Sequence, residues 1–366
     1  MAPPADVARD NLARDNWAHS NLSHGGGPPR VVAVVVTYNR RDLLIEALTA
    51  VLGQTRAPDA VIVVDNASTD DTAEMVRGRF HAVRLATVQR NTGGAGGFAY
   101  GLALALAGAA DLVWLMDDDT VPEPGALQAM LDARALHPGG PPALIASRVV
   151  WTDGRPHPMN TPRTKPFASK AERLAAAAAG CLPIRSASFV SILVDAGVCR
   201  ARGLPEADYF LWNDDFEFTA RLLRGQAGLL CPASVVVHKT AAFGSTDADP
   251  GQRFFYEVRN KVWTLRARSS LAPAERLLYG GSTLRRWART FAKSSDRGTL
   301  RSCLITGLAA GLRTSPRPTE EVLASAGLAM PGTHDPAEGP AQGPAETPAQ
   351  GPVSSQAPAG PGSAPG

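Results

Sequence analysis

Three successive carboxylates, Asp117, Asp118 and Asp119, follow the apolar run 112–116. They repel one another, and the first and third side chains of an extended segment point the same way. Asp117 and Asp119 are therefore able to share one hard cation. Oxygen ligands with open positions suit Mg²⁺ or Mn²⁺ held jointly with a diphosphate; a solvated acidic turn is the alternative. Asp65 follows a second apolar run, where a carboxylate accepts from a base N–H or a sugar hydroxyl, while Ser68 and Asp71 form a capping box for the next helix. A further acidic group, Asp214, Asp215 and Glu217, opens a predicted helix. Acids there either complement the helix dipole or supply a general base that deprotonates an attacking hydroxyl. His238 closes the strand-like VVVH, as a structural histidine or as a further metal ligand beside the acids. The turn 93–97 (GGAGG) leads into a helix, a geometry that favours an anion or close backbone approach. Its sixth position is Phe98 and it follows the third strand, so it is not the dinucleotide fingerprint.

These groups need elements to position them. The β-branched run 31–36 reads as a strand buried on both faces. Apolar residues recur at helical spacing over 42–54, and strands are predicted at 61–64 and 83–88, with a helix to about 79 between them. An Ala/Leu helix to about 109, the strand 112–116, a helix over 124–136 and a strand over 143–150 come next. This order predicts an α/β fold, a doubly wound and mostly parallel sheet flanked by helices. Thr37, Tyr38 and Asn39, then Asp65 and Asn66, then the Asp triplet all follow strand ends, so three strands deliver polar side chains to one edge. Residues 151–185 are irregular and Pro-rich, either a mobile loop over that edge or a solvated insertion. A strand over 186–194, a helix from 212 to about 224 and a short strand at 235–237 complete the reading.

Composition sets the outer bounds. The chain has 366 residues, 44% hydrophobic, with a net charge of +3. That suffices for a large core without metal or disulfide staples and gives no argument for nucleic acid. The four cysteines are scattered, with no C-x-x-C pair, and read as free thiols in a reducing compartment. No run of about 18 apolar residues predicts a spanning helix, and the N-terminus lacks a secretory h-region. Between 253 and 317 there are 14 Lys and Arg against three acids, a local charge of +11 interleaved with Trp and Leu. This suits an anionic membrane surface or a phosphate-bearing lipid, or else a solvated face that balances the acidic site. Nine Pro and seven Gly fall in the last 36 residues, which predicts disorder. The expected organisation is a flexible segment 1–29, a catalytic domain 30–250 with its donor site in 31–150 and its acceptor and base part in 151–250, a basic helical extension 251–317, and a disordered tail 318–366.

Taken in order, VVVTYNRRDLL (34–44), VVDNASTDDT (63–72), NTGGAGGFAYG (91–101), WLMDDDT (114–120), WNDDFEFTARL (212–222), VVVH (235–238) and FYEVRN (255–260) resemble glycosyltransferase family 2, whose fold is GT-A. The form of three of these motifs is similar to that of actinobacterial-type galactofuranosyltransferases, with related rhamnosyltransferases sharing most of it. The resemblance implies a nucleotide-sugar donor. It places Thr37 and Asn39 in the nucleotide pocket, Asp65 on uracil or ribose, and Asn91 and Gly93 near the donor. Asp117 and Asp119, with His238, would hold a divalent cation, Mn²⁺ or Mg²⁺, with Asp118 beside them on the nucleotide sugar. Asp215 would be the catalytic base with Asp214 next to it, and Trp212 and Glu217 would meet the acceptor. Where relatives read W-D-D, this chain has an inserted Asn213, so the choice between Asp214 and Asp215 stays open by one position.

The implied activity is an inverting, metal-dependent transfer, of galactofuranose from UDP-galactofuranose, to a lipid-linked or cell-envelope glycan acceptor. Transfer from dTDP-rhamnose or another nucleotide sugar is the nearest alternative; a nucleotidyltransferase and a lectin-like module are more distant ones. The chain leaves no room for the extra N-terminal sandwich domain of long polymerising relatives, so single addition is expected. The expected location is cytoplasmic, peripheral on the inner face of the plasma membrane.

Overall fold

A computed structural model describes residues 27–241, 243–244 and 249–331. The expectations for 1–26 and 332–366 lie outside the described residues. The first strand, β1 (Val31–Thr37), is buried along its whole length. Its side chains alternate between two cores. Val32, Val34 and Val36 face Phe98 and Leu102, whereas Val31, Ala33 and Val35 face Leu44 and Leu48. This is why the run carries no polar residue: both faces are covered by helices.

The next elements are α1 (Arg41–Leu52), β2 (Ala60–Asp65), α2 (Thr72–Arg79), β3 (Val83–Thr87), α3 (Gly93–Ala107) and β4 (Leu112–Asp117). Then come β5 (Thr120–Pro122), α4 (Ala126–Leu136), β6 (Leu144–Val150), β7 (Arg163–Thr164), α5 (Lys170–Ala178), β8 (Leu182–Ser186), β9 (Ser191–Asp195) and α6 (Ala196–Arg202). The last are α7 (Asp214–Leu222), β10 (Gly228–His238), α8 (Phe254–Arg266), α9 (Pro273–Lys293), α10 (Arg297–Arg313) and α11 (Thr319–Ala324). Among the described residues the sheet runs β3-β2-β1-β4-β9-β6-β10-β8-β7, with β5 paired to β10. The β3-β2-β1-β4 part is parallel, as is β6 with β10, and β9 enters antiparallel between β4 and β6. This is the flanked, doubly wound sheet that the sequence predicts.

Register puts the site at one edge. Thr37 pairs with Asp65, and Val36 with Asp117, so three parallel strands end level with one another. The β5–β10 pairing sets His238 opposite Thr120. The backbone N–H of Lys239 donates to the Asp119 carbonyl at 2.8 Å, which fixes the histidine beside the triplet.

Several local expectations are corrected. The GGAGG stretch is not a turn but the first turns of α3. A Cβ at Gly97 would lie 2.5 Å from Val36, and one at Gly101 2.4 Å from Val34, so small residues let the helix sit against β1. Ser68 does not cap α2, which starts at Thr72; its Oγ accepts from the Asn39 N–H at 2.9 Å instead. The single strand expected over 186–194 is two strands, β8 and β9, and the 235–237 strand extends back to Gly228. Residues 151–185 contain β7, α5 and part of β8. The tail boundary moves as well. α11 follows Pro318, and Val322, Leu323, Ala326 and Leu328 are buried, with Leu323 and Leu328 in the core beside Phe98. The four cysteines are free and buried.

Candidate active site

Thr37 and Asp65 are both buried where the parallel strands end. Asp65 Oδ1 accepts from the Ser68 N–H at 3.0 Å, and Asn39 Oδ1 accepts from the Thr69 N–H at 2.7 Å. The loops after β1 and β2 are thereby tied into one wall. Asn66 continues it, donating to the Gly93 carbonyl at 2.8 Å and accepting from the Thr92 N–H at 2.9 Å. Asn91 accepts from the Gly93 N–H at 2.7 Å. Gly93 itself has φ +71°, and a Cβ there would lie 2.0 Å from the Phe210 carbonyl oxygen. Only glycine lets the start of α3 meet that loop.

Asp117, Asp119 and His238 each present a ligand atom within 4.8 Å of the others. Asp119 Oδ1 lies 3.0 Å from His238 Nε2, and its other oxygen pairs with Arg40. Asp118 accepts from the Tyr38 N–H at 3.3 Å and from Arg40 at 3.4 Å. Burial, then the charge of Asp119, pushes Asp117 up to about 7. Burial likewise raises Asp118 to about 6 against the pull of Arg40. For Asp119 burial is outweighed by His238 and Arg40, which hold it below the usual carboxylate range, and Asp119 in turn raises His238 despite burial. Three acids thus face one guanidinium and one imidazole. Hard oxygens with an imidazole nitrogen form a donor set that fits Mn²⁺ or Mg²⁺, since a divalent ion offsets the excess negative charge.

His238 is oriented from behind. Its Nδ1 lies 2.9 Å from Asn160 Oδ1, which assigns a proton to Nδ1 and leaves Nε2 facing Asp119, to donate to it when the ring is protonated or to serve as a ligand atom when it is neutral. His157, fully buried, packs tilted against it with ring centroids 5.0 Å apart and contacts Thr240 Oγ1 at 3.0 Å. The stretch from 157 to 160, in the irregular segment after β6, is therefore docked on the site.

The second acidic station stands on strained backbone. Phe210, Trp212 and Asn213 all have positive φ, between 64° and 65°. Such strain persists only where surroundings over-determine it. Here Asn260 Nδ2 on α8 lies 2.8–2.9 Å from the carbonyls of Tyr209, Leu211 and Trp212, and Asn213 donates to Glu257 at 2.8 Å. The half-buried Trp212 has Arg253 over its ring at 5.6 Å. Asp214 is buried, and its Oδ2 would be 4.0 Å from a Cβ on Gly94, at the N-terminus of α3. Burial raises both aspartates; Asp214 is pushed further by Asp215, while Lys261 and Arg163 pull Asp215 back.

Glu217 is a correction. It is 2% exposed, and both its oxygens pair with Arg221 at 2.9–3.2 Å. Arg221 in turn donates to the carbonyls of Arg202 and Leu204. This carboxylate pins α7 to α6 and the loop after it, and it is spent on a buried ion pair rather than presented to an acceptor. Sequence reasoning also passed over Arg40, Asn160 and Asn260. Arg40 and Asn260 stand inside matched motifs, in TYNRR and FYEVRN, whereas Asn160 lies in the irregular segment with no motif to mark it.

Comparisons with known proteins agree with this geometry. The Glycosyl transferase family 2 profile matches residues 32–174. Galactofuranosyltransferase GlfT1 of Mycobacterium tuberculosis is 34% identical over 262 residues, covering 64% of this chain and 82% of that protein. GlfT1 of Mycolicibacterium smegmatis is 32% identical over 270 residues, covering 68% and 88%. Among solved structures, S. aureus TarS 1–349, seen in complex with UDP-GlcNAc, superposes with a TM-score of 0.51 at 18% identity, covering 81% of this chain and 84% of that one. That likeness bears on the fold.

Proposed function

The chain belongs to glycosyltransferase family 2, and on that premise we propose that it transfers galactofuranose from UDP-galactofuranose to a lipid-linked or cell-envelope glycan acceptor. The observation that carries this reading is the meeting, at one sheet edge, of the Asp117–Asp119–His238 group with the wall formed by Thr37, Asn39 and Asp65. The similarity to the mycobacterial galactofuranosyltransferases supports the choice of sugar.

In this reading Thr37, Asn39 and Asp65 bind the nucleoside, and Asn91 and Gly93 shape the donor side at the start of α3. Asp117, Asp119 and His238 hold a divalent cation, with Asp118 beside them. When bound, that ion supplies positive charge against the charge that develops on the leaving diphosphate. Asp215 takes the proton from the acceptor hydroxyl, and the sugar passes in a single displacement with inversion. Asp214, against the α3 N-terminus, fixes the turn that presents Asp215, and Trp212 forms part of the acceptor wall. No side-chain nucleophile is needed.

A panel of UDP-, dTDP- and GDP-sugars with Mn²⁺ tests the donor. Selective stabilisation of the fold by a UDP-sugar is expected, because a ligand that binds only the native state raises the melting temperature. Undiminished transfer in excess chelator overturns the metal role, and preferential stabilisation by a dTDP-sugar overturns the choice of nucleotide.

We also propose that the enzyme works at the inner face of the plasma membrane. No helix of the described residues is long and apolar enough to cross a membrane. Ten of the 14 basic residues between 253 and 317 are exposed, with Leu277, Leu284, Ile305 and Leu312 exposed among them. Cosedimentation with anionic liposomes at low salt is expected; its absence overturns the assignment.

A further inference from the structure

Asp214 and Asp215 sit about 100° apart around the start of α7, and they answer to different neighbours. Asp214 lies against α3 and feels Asp117. Asp215 feels Lys261 and Arg163. Those two cations line a cavity of about 300 Å³ bounded by β7, α7, α8 and α9. Its other charged residues are Arg285, Arg286 and Arg289, and no acid among the described residues lines it.

The cavity gathers more positive charge than the protein neutralises. Arg286 pairs with Glu257. Lys261 is 3% exposed, its Nζ 4.3 Å above the Phe216 ring, and it donates no hydrogen bond to any described residue. Arg163 lies over Phe216 and Tyr279 at 5.3 and 5.8 Å, with no ion pair among the described residues. Arg285 and Arg289 likewise have none, and both are exposed at the cavity. Burial pushes Lys261 down to about 7 and lowers Arg163 as well, with Arg286 adding like charge to both. Lys261 is the buried one, and a buried cation that no hydrogen bond satisfies is costly; Arg163, Arg285 and Arg289 are exposed around it. The arrangement becomes favourable once a multivalent oxyanion enters, because guanidinium and ammonium donors then make charge-assisted hydrogen bonds. The volume falls at the lower end of the small-ligand range of about 300–1,000 Å³.

Two features of the surroundings say whose anion this is. Two of the cavity's cations, Lys261 and Arg163, act on Asp215, the base of the proposed reaction, rather than on the cluster assigned to the donor's diphosphate. On α9, the helix that carries three of the arginines, Leu277, Leu278 and Leu284 are exposed, with Leu278 one turn before Ser282 at the cavity wall. Leu278 shares the cavity side of α9, while Leu277 and Leu284 lie further round the helix; an anionic head beside the exposed Leu278 describes an amphiphile. We propose that this cavity is the subsite that seats the phosphate or diphosphate group of an amphiphilic acceptor and so presents its hydroxyl to Asp215. This rests on the glycosyl-transfer reading above.

Calorimetric titration of the full chain in EDTA, which keeps divalent ions from the aspartate cluster, tests the subsite with two probes, inorganic diphosphate and geranyl diphosphate. Geranyl diphosphate is expected to bind at one site and more tightly than inorganic diphosphate. The double variant Arg285→Gln/Arg289→Gln, at two exposed positions, should weaken both by more than about tenfold, since two charge-assisted donors are lost. Lys261→Met should weaken them at least as much, with thermal melts confirming that both variants fold. Absence of binding overturns the proposal, as does binding that both variants leave unchanged. Inorganic diphosphate binding as tightly as the ester marks a free-anion site and overturns the acceptor assignment. Donor hydrolysis by the unaltered chain with Mn²⁺ is measured in parallel. Its absence beside intact diphosphate binding sinks the glycosyl-transfer reading alone, whereas turnover without diphosphate binding sinks the subsite alone.

Discussion

Two chambers of opposite charge flank the start of α7, and they are built in different ways. The acidic chamber is made by strand ends. Asp117 leaves β4, His238 leaves β10, and backbone pairing sets their spacing. Among the described residues, the groups that pair with its acids are Arg40 and His238. The basic chamber is made by side chains from β7, α7, α8 and α9, and its counter-charge comes from Glu257, with Asp215 between the chambers by its interactions with Lys261, Arg163 and Asp214. Each chamber holds a surplus of one sign that the fold leaves for a ligand to offset. Excess charge fixed on rigid elements is what a preorganised binding site requires.

The largest expected effect falls on the border. Asp215→Asn should lower transfer by about 10²–10⁴-fold, the usual contribution of a general base, with UDP binding retained. Steady-state transfer and UDP titration on the same preparation read both quantities. If Asp214→Asn proves the more damaging, the base belongs to the acidic chamber and the division between the two fails.

Next comes the counter-charge of the basic chamber. Glu257 accepts from Asn213 at 2.8 Å and Trp287 at 3.0 Å, and pairs with Arg286. Glu257→Gln leaves Lys261 and Arg286 without a buried acid partner. Breaking a buried pair by removing one partner costs about 3–5 kcal/mol, to be read from denaturant unfolding. Added diphosphate should recover part of the loss. A variant as stable as the parent would show that the cations were never short of counter-charge.

The acidic chamber has a gentler test. Asn160→Ala removes the acceptor that orients His238, and losses of outer-shell partners usually cost about 10–100-fold in metal affinity. The Mn²⁺ dependence of the melting temperature measures it. An unchanged midpoint would separate His238 from the cation and leave the two aspartates as the ligands.

The contrast also explains what the sequence made legible. Strand ends carry their residues contiguously, so the Asp triplet, Asp65 and His238 stood out, and their register follows from ordinary parallel pairing. The basic chamber joins Arg163, Lys261 and Arg286, which no local pattern connects; the sequence displayed their charge but not their convergence. Local patterns misled where tertiary packing overrode them. GGAGG reads as a turn by composition, yet its glycines serve the close approach of α3 to β1. Ser68 has the type and spacing of a cap, but Asn39 reaches it first. Glu217 has the motif position of an acceptor contact, and only the buried Arg221 four residues on shows where its charge is used. Residues 318–331 read as tail because prolines and glycines dominate the stretch beyond them, although Val322 and Leu323 find the core.

The smallest expected effect is a slope with pH. Burial is the first cause of the low Lys261 value of about 7, with Arg286 and Arg163 adding to it while Glu257 and Asp215 oppose it. In the unfolded chain the same amine titrates near 10.4. Between these values the unfolded chain binds the extra proton and the folded chain does not, so stability rises with pH across that window. Below about 7 both states are protonated and the penalty for a buried charge is present in full. The melting temperature of the parent, taken relative to Lys261→Met, should therefore climb from pH 7 to pH 9. Diphosphate in the cavity should flatten this slope, because the bound anion holds the proton on the amine and raises its folded-state value toward the unfolded one. Mn²⁺ shifts the titration of Asp117 and His238 in the parent and in Lys261→Met alike, so it should leave this difference unchanged. A slope altered by Mn²⁺ and not by diphosphate would mean that the two chambers are one site.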